Sequence, residues 1–303
     1  MTDALGGASG GALDGLGDSV DVLRSAGCHA VPLPIAETML ARWLARRAGL
    51  TPPVGPLALA VNGPEDRVEL RRSGADWRLS GAARGVPWAR NARGLVVSTG
   101  TAVALLSPLS VPIERGKNLA GEPRDDVALD LTLEARSVAG APKDADAAAV
   151  YRLGALFRAA QMAGALQAAL QLAVTYAGDR VQFGRPIGKF QAIQQQLALA
   201  AEQVAAAGVA VASAVAAAGA GDLAFAAAAA KLRVGEAAGK VCDVVHQVHG
   251  AIGFTHEHRL HQLTRRLWSW RDEFGVESAW ALELGRLAAS QGADGIWPFL
   301  AQR

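Results

Sequence analysis

Cysteine is scarce in this chain: Cys28 and Cys242 are the only two thiols among 303 residues. Two cysteines cannot build the disulfide framework of a small secreted domain, so a reducing cytoplasmic setting is expected. The opening MTDALGGASGGALDG lacks a basic stretch followed by an apolar core, which fits the same expectation. A dominant charge of one sign is equally lacking. The formal net charge is +2 and the arginines are scattered or locally paired, which argues against a nucleic-acid-binding role resting on a basic tract. Charged residues make up only 19% of the chain and hydrophobic ones 51%, so disorder is excluded and two or three folded domains with much buried helix are expected. Metal ligation finds little footing: His246, His249, His256, His258 and His261 crowd one stretch, but no HxxxH or Cys/His set comes with a supporting carboxylate. No metal site is expected.

Long hydrophobic runs are missing apart from one. Residues 204–221, VAAAGVAVASAVAAAGAG, carry no charge, and their length is near the lower limit for a membrane span. They consist of Ala and Gly with a few Val and Ser, however, and no aromatic belt flanks them. Alanine combines high helix propensity with a small side chain, so a close-packed bundle helix is expected and no membrane association.

What is present is a change of texture along the chain. The first twenty residues, rich in Gly and Asp, read as a loose arm. Residues 20–50 turn helical around a break at Pro32 and Pro34; the second helix sets Met39, Leu40, Trp43 and Leu44 on one face and Arg42, Arg46 and Arg47 elsewhere. From 51 to about 138, apolar runs at 57–61, 68–70, 77–79, 95–98, 102–106 and 127–131 alternate with turn residues. The pattern predicts an antiparallel β domain of roughly seven strands, a small sandwich or barrel, in which Trp77 and Trp88 either fill the core or line a cofactor face. Beyond Pro142 the chain reads as helix over 145–177, 190–218, 223–248 and 277–290, four amphipathic helices suited to a four-helix bundle. The fold class is α+β, with boundaries at 1–50, 51–141 and 142–303.

The densest chemistry lies in residues 247–275, QVHGAIGFTHEHRLHQLTRRLWSWRDEFG. Gly250 and Gly253 allow a backbone to approach a phosphate or adenine closely, with Gln247 free to hydrogen-bond it, although a GxxG also serves as a plain connection between helices. Asp272 and Glu273 adjoin Trp268, Trp270 and Phe274, apolar surroundings of the kind that raise a carboxylate towards the range of a general base. The same pair also reads as a solvated acidic patch opposing Arg265, Arg266 and Arg271.

Three stretches resemble the acyl-CoA dehydrogenase family. Residues 180–187, RVQFGRPI, followed by FQAIQ at 190–194, are similar to its RxxFGxxIxxFQxxQ segment; residues 247–254 are similar to its QxxGGxGF turn; and residues 116–126, GKNLAGEPRDD, resemble a run frequent in bacterial members. The resemblance covers about residues 20–290. It implies FAD as cofactor, contacted by Arg180, Gln182, Phe183, Gln191, Gln247, Val248 and Gly250, with the Arg180 guanidinium on a pyrophosphate bound mainly by a neighbouring subunit. It also implies an acyl-CoA substrate desaturated at its α and β carbons, and an electron-transferring flavoprotein as acceptor.

The departures from the family pattern are informative. Only about fifty residues precede the β domain, so the family's N-terminal helical domain is represented by a remnant. The family's TxPxxGSD-like segment is replaced by ALAVNGPED at 58–66. Matching the glycine turns puts Phe274 at the usual catalytic Glu position, with Glu273 one residue early and Val276 in place of a Thr. Shortened subunits of this kind occur in α2β2 actinobacterial dehydrogenases, including those acting on steroid fragments, where a complete subunit accompanies the short one. The resemblance therefore implies such a partner; a homo-oligomeric enzyme using Glu273 as base and a non-catalytic FAD-binding scaffold are the alternatives.

Overall fold

The structure, a computed structural model, describes residues 15–61, 67–219 and 222–301. Residues 1–14 of the expected loose arm, and 62–66 of the segment standing where TxPxxGSD was sought, lie outside the described residues. The chain divides into two compact units, one made of residues up to Ser19 with Pro32–Gly154, the other of Val20–Val31 with Ala155–Arg303.

Helix begins earlier than expected, with α1 at Leu16–Cys28, because Leu16, Val20 and Leu23 recur at buried positions. Helix α2, Ile35–Arg47, starts beside Pro34 and carries Glu37 in its first turn and Arg46 and Arg47 in its last, in line with the helix dipole. It stops at Gly49, whose φ of 78° is comfortable only for glycine, while the Leu50 amide bonds back to the Ala45 carbonyl. Arg42 departs from expectation. It is buried, and its Nη2 donates to the carbonyls of Pro53 and Gly55, tying α2 to the chain entering the first strand.

Eight strands form a sandwich of two four-stranded sheets. One sheet orders β1 (Leu57–Val61), β4 (Gly94–Ser98), β5 (Ala102–Leu106) and β8 (Val138–Gly140); the other orders β2 (Arg67–Ser73), β3 (Asp76–Pro87), β7 (Arg124–Leu133) and β6 (Ile113–Glu114). The β1–β4 pair is parallel, Leu57 opposite Gly94, where an all-antiparallel domain was expected. Both strands are buried along nearly their whole length, which explains their unbroken apolar runs. Alternate residues from both sheets, among them Ala58, Leu79, Leu95, Val97, Val127 and Leu129, share one core, and Trp77 packs against it.

A single carboxylate organises the edge of this core. Asp125 is fully buried, and its oxygens accept from the Arg90 amide, the Arg90 guanidinium and the Gly116 amide. The run at 116–126 is thus a loop bound to itself: Asn118 also pairs with Glu122, and Glu122 with Arg124.

The second unit is helical: α3 (Ala147–Asp179), α4 (Gln191–Gly219), α5 (Leu223–His249), α6 (Leu260–Asp272), α7 (Glu277–Ala289) and α8 (Gly292–Ala301). Helices α6 and α8 add to the four expected. Helix α4 pairs extensively with α5 but leaves Leu199 59% and Val209 66% exposed, so its other face is not the bundle core that its composition suggested. By length and composition it is the one helix among the described residues able to cross a membrane, which alone is weak grounds for a span.

Helices α1 and α3 meet backbone to backbone. A Cβ on Gly27 would stand 1.9 Å from the Gln161 carbonyl oxygen, and one on Gly164 would stand 1.9 Å from that of Arg24. Neither obstacle is a flexible side chain, so the helices must part to admit a methyl group. Gly27→Ala and Gly164→Ala are each expected to cost about 1–3 kcal/mol, measurable as a lowered midpoint in urea. An unchanged midpoint would mean that the crossing is slack.

Candidate active site

Two segments distant in sequence are brought to one end of the helical unit. Helix α3 ends at Asp179 and runs into a hairpin of β9 (Val181–Gln182) and β10 (Arg185–Pro186), closed by the Ile187 amide on the Arg180 carbonyl. Helix α5 ends at His249 and runs into a 3-10 turn at Gly250–Phe254. The Tyr176 ring, one turn before Arg180, stacks on His249 at 4.7 Å, two residues beyond Gln247. This contact joins the two motifs.

The hairpin turn holds Phe183 at φ 51° and Gly184 at φ 79°. Successive positive φ values give the tight two-residue turn that suits a hairpin, but the first should be Asn, Asp or Gly. A phenylalanine there is strained, and its ring is 94% exposed. Beneath it, Phe190 meets Phe183 edge-on and carries the Arg185 guanidinium 4.2 Å from its ring centre. Arg180, Gln182 and Gln191 are exposed around the same hairpin.

At the other segment Gln247 is exposed, and Gly250 adopts φ 62° with open space where a Cβ would project. This is a cradle that a phosphate or a nucleobase edge can approach, so the exposed donors fit a dinucleotide such as FAD. Val248 differs from its neighbours: it is 4% exposed, and its side chain belongs to the core. Only its backbone is available for such a contact.

Histidines line this end in a packed array. His246 is sandwiched between Phe254 at 4.4 Å and Trp268 at 5.7 Å, and its Nε2 pairs with the Thr264 hydroxyl. His249 lies 4.7 Å from His258 and keeps its Nδ1 on the Val245 carbonyl. Burial is the main cause that lowers the pKa of His246, His249 and His258; His249 adds to it at His246, His258 at His249, and His261 with Arg259 at His258, while Asp243 and the Val245 carbonyl oppose it at His246 and His249.

The carboxylate region is built differently from the apolar wall that the sequence suggested. Helix α6 ends at Asp272, so Glu273 sits just past the helix in extended backbone, followed by Phe274 at φ 53° and Gly275 at φ 92°. The three aromatic residues diverge: Trp268 goes to His246, Trp270 lies under the Arg158 guanidinium, and Phe274 packs with Trp280, Ala155 and Ala228. Glu273 instead accepts from Arg158 Nε at 2.6 Å, a pair in which Arg158 is 2% and Glu273 19% exposed. Arg271 pairs with Glu277 at 2.6 Å, away from the acidic doublet.

Arg158 and Lys231 went unnoticed in the sequence, although each is a lone cation at a core position of an otherwise apolar helical stretch. Lys231 is 1% exposed, and its Nζ donates to the carbonyls of Arg271 and Gly275 at 2.6 and 2.8 Å. The Trp280 indole donates to the Phe274 carbonyl between them at 2.9 Å.

Two measurements probe this geometry. Glu273→Gln leaves the Arg158 guanidinium buried beside a neutral partner and is expected to cost about 3 kcal/mol, the lower end for a broken buried pair; the double variant Arg158→Met with Glu273→Gln should be more stable than the single one. A purely additive loss in urea unfolding would show that the two do not act as a pair. The histidines give a pH dependence. Their folded pKa values lie below the ordinary 6.5, so the unfolded chain binds more protons, and stability should fall as pH drops below 6.5. His249→Phe should flatten that slope, and an equal slope in both proteins would place its origin elsewhere.

Comparison with known proteins agrees with this architecture. Residues 149–271 match the family described as acyl-CoA dehydrogenase, C-terminal domain. Acyl-CoA dehydrogenase IpdE2 of Mycobacterium tuberculosis is 38% identical over 112 residues, 37% of this chain and 34% of that protein. The matched segments span 26% and 34% of the first two curated relatives. The fold superposes on the ChsE4–ChsE5 complex from Mycobacterium tuberculosis with a TM-score of 0.83 at 24% identity, covering 95% of this chain and 83% of that one. It superposes on the Tcur3481–Tcur3483 steroid ACAD variant with a TM-score of 0.82 at 26% identity, covering 92% and 82%. With the motif-bearing hairpin and turn standing together on a helical unit of this kind, residues 149–271 form an acyl-CoA dehydrogenase C-terminal domain.

Proposed function

We propose that this chain is a subunit of an FAD-dependent acyl-CoA dehydrogenase that works beside a second, complete dehydrogenase subunit. The observation that carries the reading is the Arg158–Glu273 pair. A carboxylate serving as counter-ion to a buried guanidinium is badly placed to take a proton from carbon, and the next residue, Phe274, turns its ring into the core. The base then comes from the partner subunit.

In the reaction the base takes the α-proton of an acyl-CoA thioester, the β-hydrogen leaves with its electron pair, and a carbon–carbon double bond forms. FAD, held by the residues named below, would supply the acceptor for that hydride, to be re-oxidised by an electron-transferring flavoprotein. This chain's part is binding. Arg180 offers a guanidinium fork to pyrophosphate oxygens, Gln182 and Gln191 offer amides beside it, Phe183 presents a ring for stacking, and Gln247 with the Gly250 backbone receives the adenine end. All of these groups face outward, which suits a cofactor held across a subunit interface. The exposed apolar residues of α4 offer further contact surface for a partner. A steroid-derived or similarly bulky acyl group is the favoured substrate class, supported by the likeness to the steroid ACAD pair.

Co-expression with a complete dehydrogenase subunit is the test. The assembly should be yellow and bleached by its acyl-CoA, and Glu273→Gln should leave bleaching intact because the partner holds the base. Arg180→Ala should weaken FAD retention by roughly tenfold to a hundredfold, the loss of one charge-assisted contact of about 1.5–3 kcal/mol. Bleaching abolished by Glu273→Gln would make this chain the catalytic one. A flavin-loaded, active homo-oligomer from the single chain would remove the partner, and flavin binding without bleaching in any assembly would leave a scaffold.

A further inference from the structure

The turn joining α6 to α7 is held by more buried charge than a short connection requires. Its backbone is unusual, with Phe274 at φ 53°, a conformation costly for an aromatic residue, followed by Gly275 at φ 92°. Something must over-determine it. Lys231 reaches from the middle of α5 to the two carbonyls flanking the turn, those of Arg271 and Gly275. Trp280, from α7, donates to the Phe274 carbonyl. From α3, Arg158 holds Glu273 and also donates to Gln161. Arg271, at the end of α6, holds Glu277, which fits against α5 only because Gly235 has no side chain: a Cβ there would lie 2.0 Å from the Glu277 carboxylate.

The charges facing Lys231 are Glu277, Glu273, Arg158 and Asp272, with Arg271 paired to Glu277 beside them. Three cations and three carboxylates balance. Hydrophobic packing alone would favour a Leu or Met at position 231. The ammonium group is instead placed where the Arg271 carbonyl, in the last turn of α6, and the Gly275 carbonyl of the following turn converge.

We propose that Lys231 is the positioning residue of this turn: by clamping the carbonyls of Arg271 and Gly275 it fixes the left-handed Phe274, and so decides that Glu273 faces Arg158 while the Phe274 ring faces Trp280. The neighbouring residue identities leave both outcomes open. Shifting the turn by one residue would exchange the carboxylate and the ring. This inference concerns the conformation of the turn and stands whether or not the chain carries the proposed reaction.

Burial lowers the Lys231 pKa to about 8, against 10.5 for an ordinary lysine; Glu277 and Glu273 oppose the shift and Arg158 reinforces it. Between those two values the unfolded chain binds more protons than the folded one, so folding stability should rise with pH across that window. A neutral amine keeps two N–H donors, one for each carbonyl, so the clamp survives the loss of charge.

The experiment is amide hydrogen exchange on residues 271–280 in the co-expressed assembly, corrected for intrinsic rate, for the parent, Lys231→Met and Lys231→Gln. Lys231→Met should speed exchange at 274–277 by tenfold or more while the centres of α3 and α5 keep their protection, and Lys231→Gln, which retains donors, should recover part of it. Unchanged local protection in Lys231→Met, with only a lower unfolding midpoint, would reduce Lys231 to a buried core residue and overturn the proposal. Should Lys231→Met not fold, Lys231→Gln decides: exchange at 274–277 faster than in the parent, with α3 and α5 still protected, is expected, and protection equal to the parent's would overturn the clamp. Flavin bleaching in the same samples reports separately on the proposed reaction.

Discussion

The helical unit depends on a guanidinium placed where water cannot reach it. Arg158 is 2% exposed on α3, and leaving it there without a carboxylate would cost several kcal/mol. Glu273 must therefore come to it, and α6 must end at Asp272 for that to happen. The turn that brings it there is held from the other side: Phe274 takes a left-handed conformation with its ring beside Trp280, Lys231 holds the carbonyls of Arg271 and Gly275, and Arg271 holds Glu277. A region expected to tune one carboxylate for proton transfer is instead a balanced network of fixed charges. Such networks rigidify a structure, which is in keeping with the binding role proposed for this chain.

Close packing has a similar effect elsewhere in the unit. Gly27 and Gly164 let α1 and α3 touch along their backbones, so α1 joins the helical unit although its sequence neighbours belong to the other. In the β unit the analogous device is Asp125, a carboxylate at an inward strand position that pins both the Gly116 loop and the Ala89–Asn91 turn. In each unit a buried charge or a missing side chain fixes a connection that periodicity alone leaves free.

The outward features share another logic. Strain at Phe183 and the uncovered apolar residues of α4 are both costs for an isolated chain. In the assembly proposed above, a cofactor and a neighbouring subunit would offset both.

Periodicity determined much by itself. The helices at 35–47, 147–179, 191–219 and 223–249 and the strand cores were legible because their side chains meet one environment along one face, and that repeats at 3.6 or 2 residues. The motifs around Arg180 and Gln247 were singled out by resemblance to a family pattern and not by local physics, since the hairpin turn carries Phe183 where Asn, Asp or Gly would suit. Pairing was not legible: the β1–β4 parallel register, the burial of Arg42 and Val248, and the open face of α4 depend on what lies opposite, and no local pattern records it. The meaning of Glu273 was decided by tertiary structure alone. Trp268, Trp270 and Phe274 stand near it in sequence, but the charge it pairs with comes from Arg158, 115 residues away in the chain, and a carboxylate's chemistry is set by the charge it touches.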